Sequence, residues 1–373
     1  MKILYINDSL SGGGAEKLLS DFLPLIHEEV DCELLILTSE NEKYMDSLKK
    51  NGVTVRVIPE KIRGNIGRII YIGKYIKQGD FDIVHANLFP VLYYCSLLKR
   101  LQCRDRMFIY TEHSTDNKRR HIRLLRPIEK IIYKPYDYVV TISDAARRNL
   151  LEWLDIKEQS IFANKFRVIH NGIQVDKLYQ AISYNRTDLL LDIKKDTVLL
   201  CMVGSFTEQK NHQFILKVMK ILPDYYQLLL LGEGKLKEEM EQKVNSSKQL
   251  IGRVHFLGFR RDVASIIKTS DIVVIPSIWE GFGLIAVEAM ACGKQVVCFD
   301  IPGLAEVVGT VGIKVKENDE KKFANAIIGA VENIHNRDLA EQCIRQAENY
   351  TLEKTTKKYL DLYRNMIKDK KEI

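Results

Sequence analysis

The sequence predicts an α/β protein of two doubly wound parallel-sheet domains. Short apolar runs without clean alternation recur along the chain, as strands buried on both faces require. Segments of helical period separate them, and alternating strands and helices imply parallel sheets. The chain is 373 residues long, beyond the roughly 250–300 at which one core stops growing.

In the first half the strand-like runs are 3–6, 33–38, 53–58, 82–86, 108–111, 138–142 and 167–169. In the second they are 198–203, 228–231, 254–257, 272–275, 295–299 and 312–315. Between 16 and 28, Leu18, Leu19, Phe22, Leu23 and Ile26 mark one helical face. The segment 284–291 reads as a helix with small residues on one side, and 352–366 has Leu360, Leu362, Tyr363 and Met366 at roughly helical spacing. Asn171-Gly172 is a turn signal, and 183–196 is polar with little core. The joint is expected there, giving domains 1–175 and 176–354. Ligands of open α/β sheets bind beyond the C-terminal strand ends. Two such ends facing each other would make an interdomain cleft, where the chemistry is expected.

Hydrophobic content of 46% and charged content of 28% are those of an ordinary globular protein. The opening run Met1–Ile6 is too short for a signal-peptide core, and no stretch approaches the ~18 apolar residues of a membrane span. The seven cysteines lack a C-x-x-C pair, and Cys32, Cys95, Cys201 and Cys298 lie in apolar runs, so neither disulfide nor zinc is expected. The net charge of +7 is modest, but 117–135 reads NKRRHIRLLRPIEKIIYKP, a basic amphipathic segment with Pro127 set to break or restart a helix. Membrane-surface contact through 117–135 and a plain solvated helix face are both compatible with it. No nucleic-acid-binding motif is present, and no nucleic acid partner is expected.

The most informative stretch is 276–308, PSIWEGFGLIAVEAMACGKQVVCFDIPGLAEVV. Pro276 and Ser277 stop a strand, Trp279-Glu280-Gly281-Phe282-Gly283 forms a loop, and a helix opens at Leu284. Such a helix start offers unpaired N–H groups and the positive end of the dipole, which suits phosphate. Glu280 in the loop and Glu288 about one turn inside the helix suit hydroxyl groups, as on a sugar. Phosphate donors beside hydroxyl acceptors suggest a nucleotide-sugar site.

Other loops point to the same strand ends. Ser11-Gly12-Gly13-Gly14-Ala15-Glu16 opens the first helix, and its glycines allow close backbone approach and positive φ. In the loop 203–211, Lys210 is placed to reach a diphosphate. His113 ends a strand and is a candidate to bond the donor sugar or the acceptor, whereas His85, also at a strand end, reads as mainly structural. Asp80-Phe81-Asp82 precedes a strand entry on the side away from the cleft and reads as a turn and cap. No metal and no other cofactor is expected.

Glu280 and Glu288 form a Glu-x7-Glu pattern. With Glu280-Gly281-Phe282-Gly283-Leu284 and Glu288-Ala289-Met290-Ala291 it closely resembles the donor-site signature of family 4 glycosyltransferases. Those are retaining enzymes of the GT-B fold, two Rossmann-like domains facing a cleft. The motifs fall in family order over nearly the whole chain. The resemblance implies an acceptor domain first, a nucleotide-sugar domain second, and a C-terminal helix, 355–373, packing back on the first domain. It matches Gly13, Gly14 and Glu16 to a loop touching donor phosphates or acceptor. Lys210 matches the family's diphosphate lysine, but Ser205 stands where the family has arginine. Phe259 or Arg260 would contact the nucleobase, and 300–306 would present N–H groups to the sugar. The implied catalytic residues are Glu280, Lys210 and His113. The implied donor-binding residues are Glu288, Gly283, Leu284, Phe282, Ser205, Gly13, Gly14, Phe259 and Arg260.

The resemblance thus implies metal-independent, retaining hexosyl transfer from a nucleotide sugar, with UDP the expected carrier, to a lipid-linked or polysaccharide-precursor hydroxyl. A cytoplasmic enzyme, peripheral on the inner face of the cell membrane, fits that role. A UDP-sugar 2-epimerase of the same fold and a non-catalytic nucleotide-sugar-binding subunit stay open as alternatives. A nicotinamide dehydrogenase is disfavoured, since no Gly-x-Gly-x-x-Gly follows a strand.

Overall fold

The computed structural model describes residues 1–11, 13–39, 44–115, 118–190, 193–194, 196–316 and 318–371. The chain divides into two compact units, Met1–Ile173 with Leu352–Ile373, and Gln174–Thr351.

In the first unit the strands are Lys2–Asn7 (β1), Asp31–Ile36 (β2), Thr54–Val57 (β3), Ile83–Asn87 (β4), Met107–Glu112 (β5), Tyr138–Thr141 (β6) and Phe166–Val168 (β7). They pair in parallel in the order β3-β2-β1-β4-β5-β6-β7. The order reverses between β1 and β4, so a crevice opens where the helices leave to opposite faces. One face buries Leu4, Ile6, Val84 and Phe108. The other buries Ile3, Tyr5, Leu34 and Ile83 under the helix Gly14–Glu29 and the C-terminal helix Leu352–Lys371. That alternation of inward sets is the strand period of two.

The C-terminal helix is fixed to this sheet by a buried polar chain. The Tyr363 hydroxyl lies 2.7 Å from both the Tyr5 hydroxyl and His85 Nδ1, and His85 Nε2 lies 2.7 Å from Thr111 Oγ1. Thr111 in turn meets the Tyr359 hydroxyl at 3.1 Å. Burial drives His85 well below its ordinary pKa, so the ring is neutral. His85 lies within β4 rather than at its end, and every polar atom of its ring is spent on packing.

In the second unit the strands are Val198–Val203 (β8), Tyr226–Leu231 (β9), Val254–Gly258 (β10), Ile272–Ile275 (β11), Val296–Phe299 (β12) and Ile313–Val315 (β13). They form a parallel sheet in the order β10-β9-β8-β11-β12-β13. Here the reversal falls between β8 and β11. The runs expected as strands all form strands, with ends displaced by a residue or two in either direction, because ladder hydrogen bonds and not the apolar pattern set the ends. The seven cysteines are buried free thiols, and burial pushes Cys201 and Cys298 up to about 12. Among the described residues no helix is long and apolar enough to cross a membrane.

Candidate active site

The reversal point of the second sheet brings two expected residues together. After β8 the chain makes a short turn over Glu208–Lys210, and Asn211, at φ 57°, redirects it into the helix His212–Ile221. The Lys210 stem lies across Gly204, where a Cβ would stand 3.1 Å from its Cγ and Cδ. After β11, Ser277 and Glu280 occupy the loop before the helix Leu284–Ala291. Lys210 Nζ donates to Glu280 Oε1 at 2.5 Å, and Ser277 Oγ donates to the same oxygen at 2.9 Å. Two further bonds join the loops: Ile278 N to Gln209 O at 2.8 Å, and Gln209 Nε2 to Trp279 O at 2.9 Å. Ser277, read from the sequence only as a strand stop, and Gln209 were not expected at the site. A serine one proline past a wholly apolar strand was the available signal, because a fully buried hydroxyl needs a partner.

Gly283 caps the helix Leu284–Ala291 at φ 91°, a conformation that L side chains rarely hold. A Cβ there would also stand 2.7 Å from Leu304 Cδ1. The helix start is thus a bare backbone turn, with Leu284 half-buried behind it. Glu288 sits one turn further in and is 2% exposed. Phe282 is 2% exposed too, and its ring packs edge-to-face on Tyr350 at 5.2 Å. A ring so packed supports the loop.

Ser205 is exposed at the mouth of the turn after β8. Beyond β10, Phe259 presents an exposed ring. Arg260 turns its guanidinium toward its own loop: its Nε and Nη2 bond Asp262 at 2.8 and 2.5 Å. Tyr184 also donates to Asp262 at 2.5 Å, and these donors hold that carboxyl far below the carboxylate range. A carboxylate two residues away satisfies the guanidinium locally.

The first unit's reversal point has a different character. His113 follows β5, and its Nε2 donates to Asn87 Oδ1 at 3.1 Å. Its Nδ1 is buried with no partner among the described residues, and burial pushes the ring down to about 4. Asn7 Oδ1, at the end of the adjoining β1, is likewise buried and unpartnered among the described residues. Its amide donates to Ser9 O at 2.7 Å. Asn7 was not picked out from the sequence, although an amide closing a fully buried strand was visible there. Both open atoms are acceptors, which a hydroxyl would satisfy.

The glycine loop departs from expectation. Gly12 lies outside the described residues. Gly13 takes φ −77°, which any residue adopts, and Gly14 is already helical. The Glu16 carboxylate folds back onto the backbone at Gly13 and Glu16, so this helix start is met by its own side chain rather than left open for an anion. Burial and the nearby Asp8 raise the Glu16 pKa.

Asp80 and Asp82 lie at the opposite, N-terminal edge of the sheet. Asp82 accepts the Lys2 amide at 2.9 Å, and Asp80 pairs with Arg106 at 3.0 Å. The basic segment is also resolved by its partners. Arg119 pairs with the fully buried Glu129, Arg120 with Glu112, both at 3.1 Å, and Arg126 donates to Trp153 O at 2.7 Å. Arg119 and Arg120 face inward, because buried carboxylates require cations, while Arg126 stays partly exposed. Ile122, Leu124, Ile128 and Ile131 remain exposed beside Arg123, Lys130 and Lys134. Asn117 lies outside the described residues.

Two open parallel sheets, each with loops at its reversal point and one with a lysine–glutamate pair beside a glycine-capped helix, define the GT-B class of sugar-transfer proteins. Residues 12–177 match the family described as Glycosyltransferase Family 4, and residues 197–333 match Glycosyl transferases group 1. The chain belongs to the family 4 glycosyltransferases. It is 25% identical to the UDP-Gal:alpha-D-GlcNAc-diphosphoundecaprenol alpha-1,3-galactosyltransferase of Escherichia coli, over 94% of this chain and 93% of that one. It is 27% identical to the phosphatidyl-myo-inositol mannosyltransferase of Mycolicibacterium smegmatis, over 81% of this chain and 77% of that one. Among solved structures it is similar to HepE from Anabaena in complex with UDP-glucose, with a TM-score of 0.84, 19% identity, and coverage of 98% and 100%.

Proposed function

We propose that this glycosyltransferase moves a hexosyl group, with retention of configuration, from a UDP-sugar to a hydroxyl of a lipid-linked or polysaccharide-precursor acceptor. The observation that carries the reading is the meeting of Lys210 and Glu280 beside the glycine-capped start of the helix Leu284–Ala291. The ammonium and helix amides suit a diphosphate, and the carboxylate suits a sugar hydroxyl. The Escherichia coli relative's name pairs a UDP-sugar with a diphosphoundecaprenol-linked acceptor, which supports the donor and acceptor classes.

In this reading Glu288 accepts from the ribose hydroxyls and Glu280 from a hydroxyl of the donor sugar. His113, neutral at working pH, offers Nδ1 to a hydroxyl. The acceptor oxygen bonds the sugar C1 as the C1–O bond to the diphosphate breaks on the same face. The acceptor's proton passes to the departing diphosphate oxygen. Lys210 and the amides of Gly283 and Leu284 meet charge that grows mainly in the transition state, where preorganised donors lower the barrier. The scheme uses no divalent ion. NMR of the first-formed product is expected to show the donor's anomeric configuration, and inversion would overturn the retaining part. Activity abolished by EDTA and restored by manganese would overturn the metal-independent part.

The exposed Ile122, Leu124, Ile128 and Ile131 with Arg123, Lys130 and Lys134 suit a peripheral seat on anionic membrane, where a lipid-linked acceptor resides. Sedimentation with phosphatidylglycerol vesicles, but not with phosphatidylcholine vesicles, is the expected result. Leu124→Ser with Ile128→Ser should abolish it. Equal binding to both vesicle types would remove the anionic preference, and binding to neither would remove the membrane from this reading.

A further inference from the structure

We infer that Glu280 competes with the donor's diphosphate for Lys210, and that this competition makes the site favour an intact nucleotide sugar over the spent nucleoside diphosphate. The inference rests on the nucleotide-sugar reading above and assigns Ser277 and Gln209 as positioning residues.

Lys210 and Glu280 are largely buried, with side chains 19% and 9% exposed, and they touch at 2.5 Å. A buried carboxylate that loses its cation bears a penalty unless another donor replaces it. The surrounding backbone holds the two groups in reach of each other. Gln209 bonds both Ile278 N and Trp279 O, so the two loops move as one piece. Gly204 floors the lysine stem, and Ser277 holds the Glu280 oxygen that the lysine shares. Re-pairing therefore falls to the ammonium and carboxylate themselves. Ser205 sharpens the point, because Lys210 is the cation that this motif retains.

An intact donor resolves the competition at both ends. Its diphosphate takes the ammonium, and a sugar hydroxyl donates to the carboxylate in the ammonium's place. A nucleoside diphosphate offers the first exchange and lacks the second. After transfer, Glu280 reclaims Lys210 and the product loses its hold. The device selects donor and speeds product release with one ion pair.

The test is calorimetric titration of the full chain with UDP and with UDP-glucose and UDP-galactose. It compares wild type, Glu280→Gln, Lys210→Met and the double variant, each checked for folding by its melting curve. Glu280→Gln should bind UDP ~3- to 10-fold tighter, the scale of one exchanged hydrogen bond, and the nucleotide sugar more weakly. In the Lys210→Met background the gain for UDP should vanish. Glu280→Asp, which keeps the charge but withdraws it from the lysine, should tighten UDP in the same direction and serves if Glu280→Gln does not fold. UDP affinity unchanged or weakened in these variants would overturn the inference. A gain that survives in Lys210→Met would overturn it too, since that is mere charge repulsion. If wild type binds neither UDP nor either nucleotide sugar, the donor reading falls and takes the inference with it. Equal weakening of UDP and nucleotide sugar overturns the inference alone.

Discussion

The two sheets share a topology and differ in what they put at the reversal point. The second unit places a cation, Lys210, against a carboxylate, beside a helix start kept bare by a left-handed glycine. The first unit places acceptors there, Asn7 Oδ1 and His113 Nδ1, and covers its own helix start with Glu16. Strand order decides where a ligand can lie. Side-chain chemistry decides whether that place suits a diphosphate or a hydroxyl. One backbone plan thus carries two opposite sets of groups.

The sharpest way to break this contrast is Lys210→Ala. It should lower kcat by ~10²-fold or more, the scale of a lost transition-state donor. A near-normal kcat would reduce the second unit's cation to a structural brace. Next comes Glu288→Ala, expected to raise the donor KM about tenfold through a lost charged hydrogen bond. A change confined to acceptor KM would move Glu288 out of the donor site.

The two glycines sharpen the contrast at the helix starts. Gly283→Ala forces a side chain to φ 91° against Leu304, and should cost about 1–3 kcal/mol in urea unfolding. Gly13→Ala holds an ordinary φ and displaces the Glu16 carboxylate, the end of a flexible side chain. It should cost about 0.5–1 kcal/mol, the low end of a lost helix cap. Equal costs would show that the first helix start is as constrained as the second.

The smallest expected effect on rate concerns His113. His113→Phe should raise the KM of one substrate by ~5-fold, the worth of a neutral hydrogen bond. Its pH signature is separate. The folded ring titrates near 4, against an ordinary 6.5. Folding therefore gains from the neutral ring at pH above 6.5, and that gain is lost as pH falls toward 4. The loss is about 3 kcal/mol at most from this ring. Wild type should lose melting temperature over that window, and His113→Phe should lose less. An identical pH profile in both would mean that burial does not hold the ring neutral.

The strands, the helix at 284–291 and the Glu-x7-Glu pattern were legible in the sequence because each rests on local spacing. Apolar runs of strand length and a glycine ahead of small helical residues dictate their own geometry whatever surrounds them. Lys210 and Glu280 could be named as ligand-facing, but not as partners. They are seventy residues apart, and only the adjacency of β8 and β11 closes that distance. The same limit hid Asn7, Ser277 and Gln209, whose meaning lies in which partners the fold supplies or withholds. It also hid the partners of the basic segment, since Glu112 and Glu129 had to fold beneath it before Arg119 and Arg120 could turn inward. Local chemistry chooses the elements and the kinds of groups on offer. Which groups meet, and which buried acceptors among the described residues are left without a partner, is settled by long-range packing that spacing along a chain does not encode.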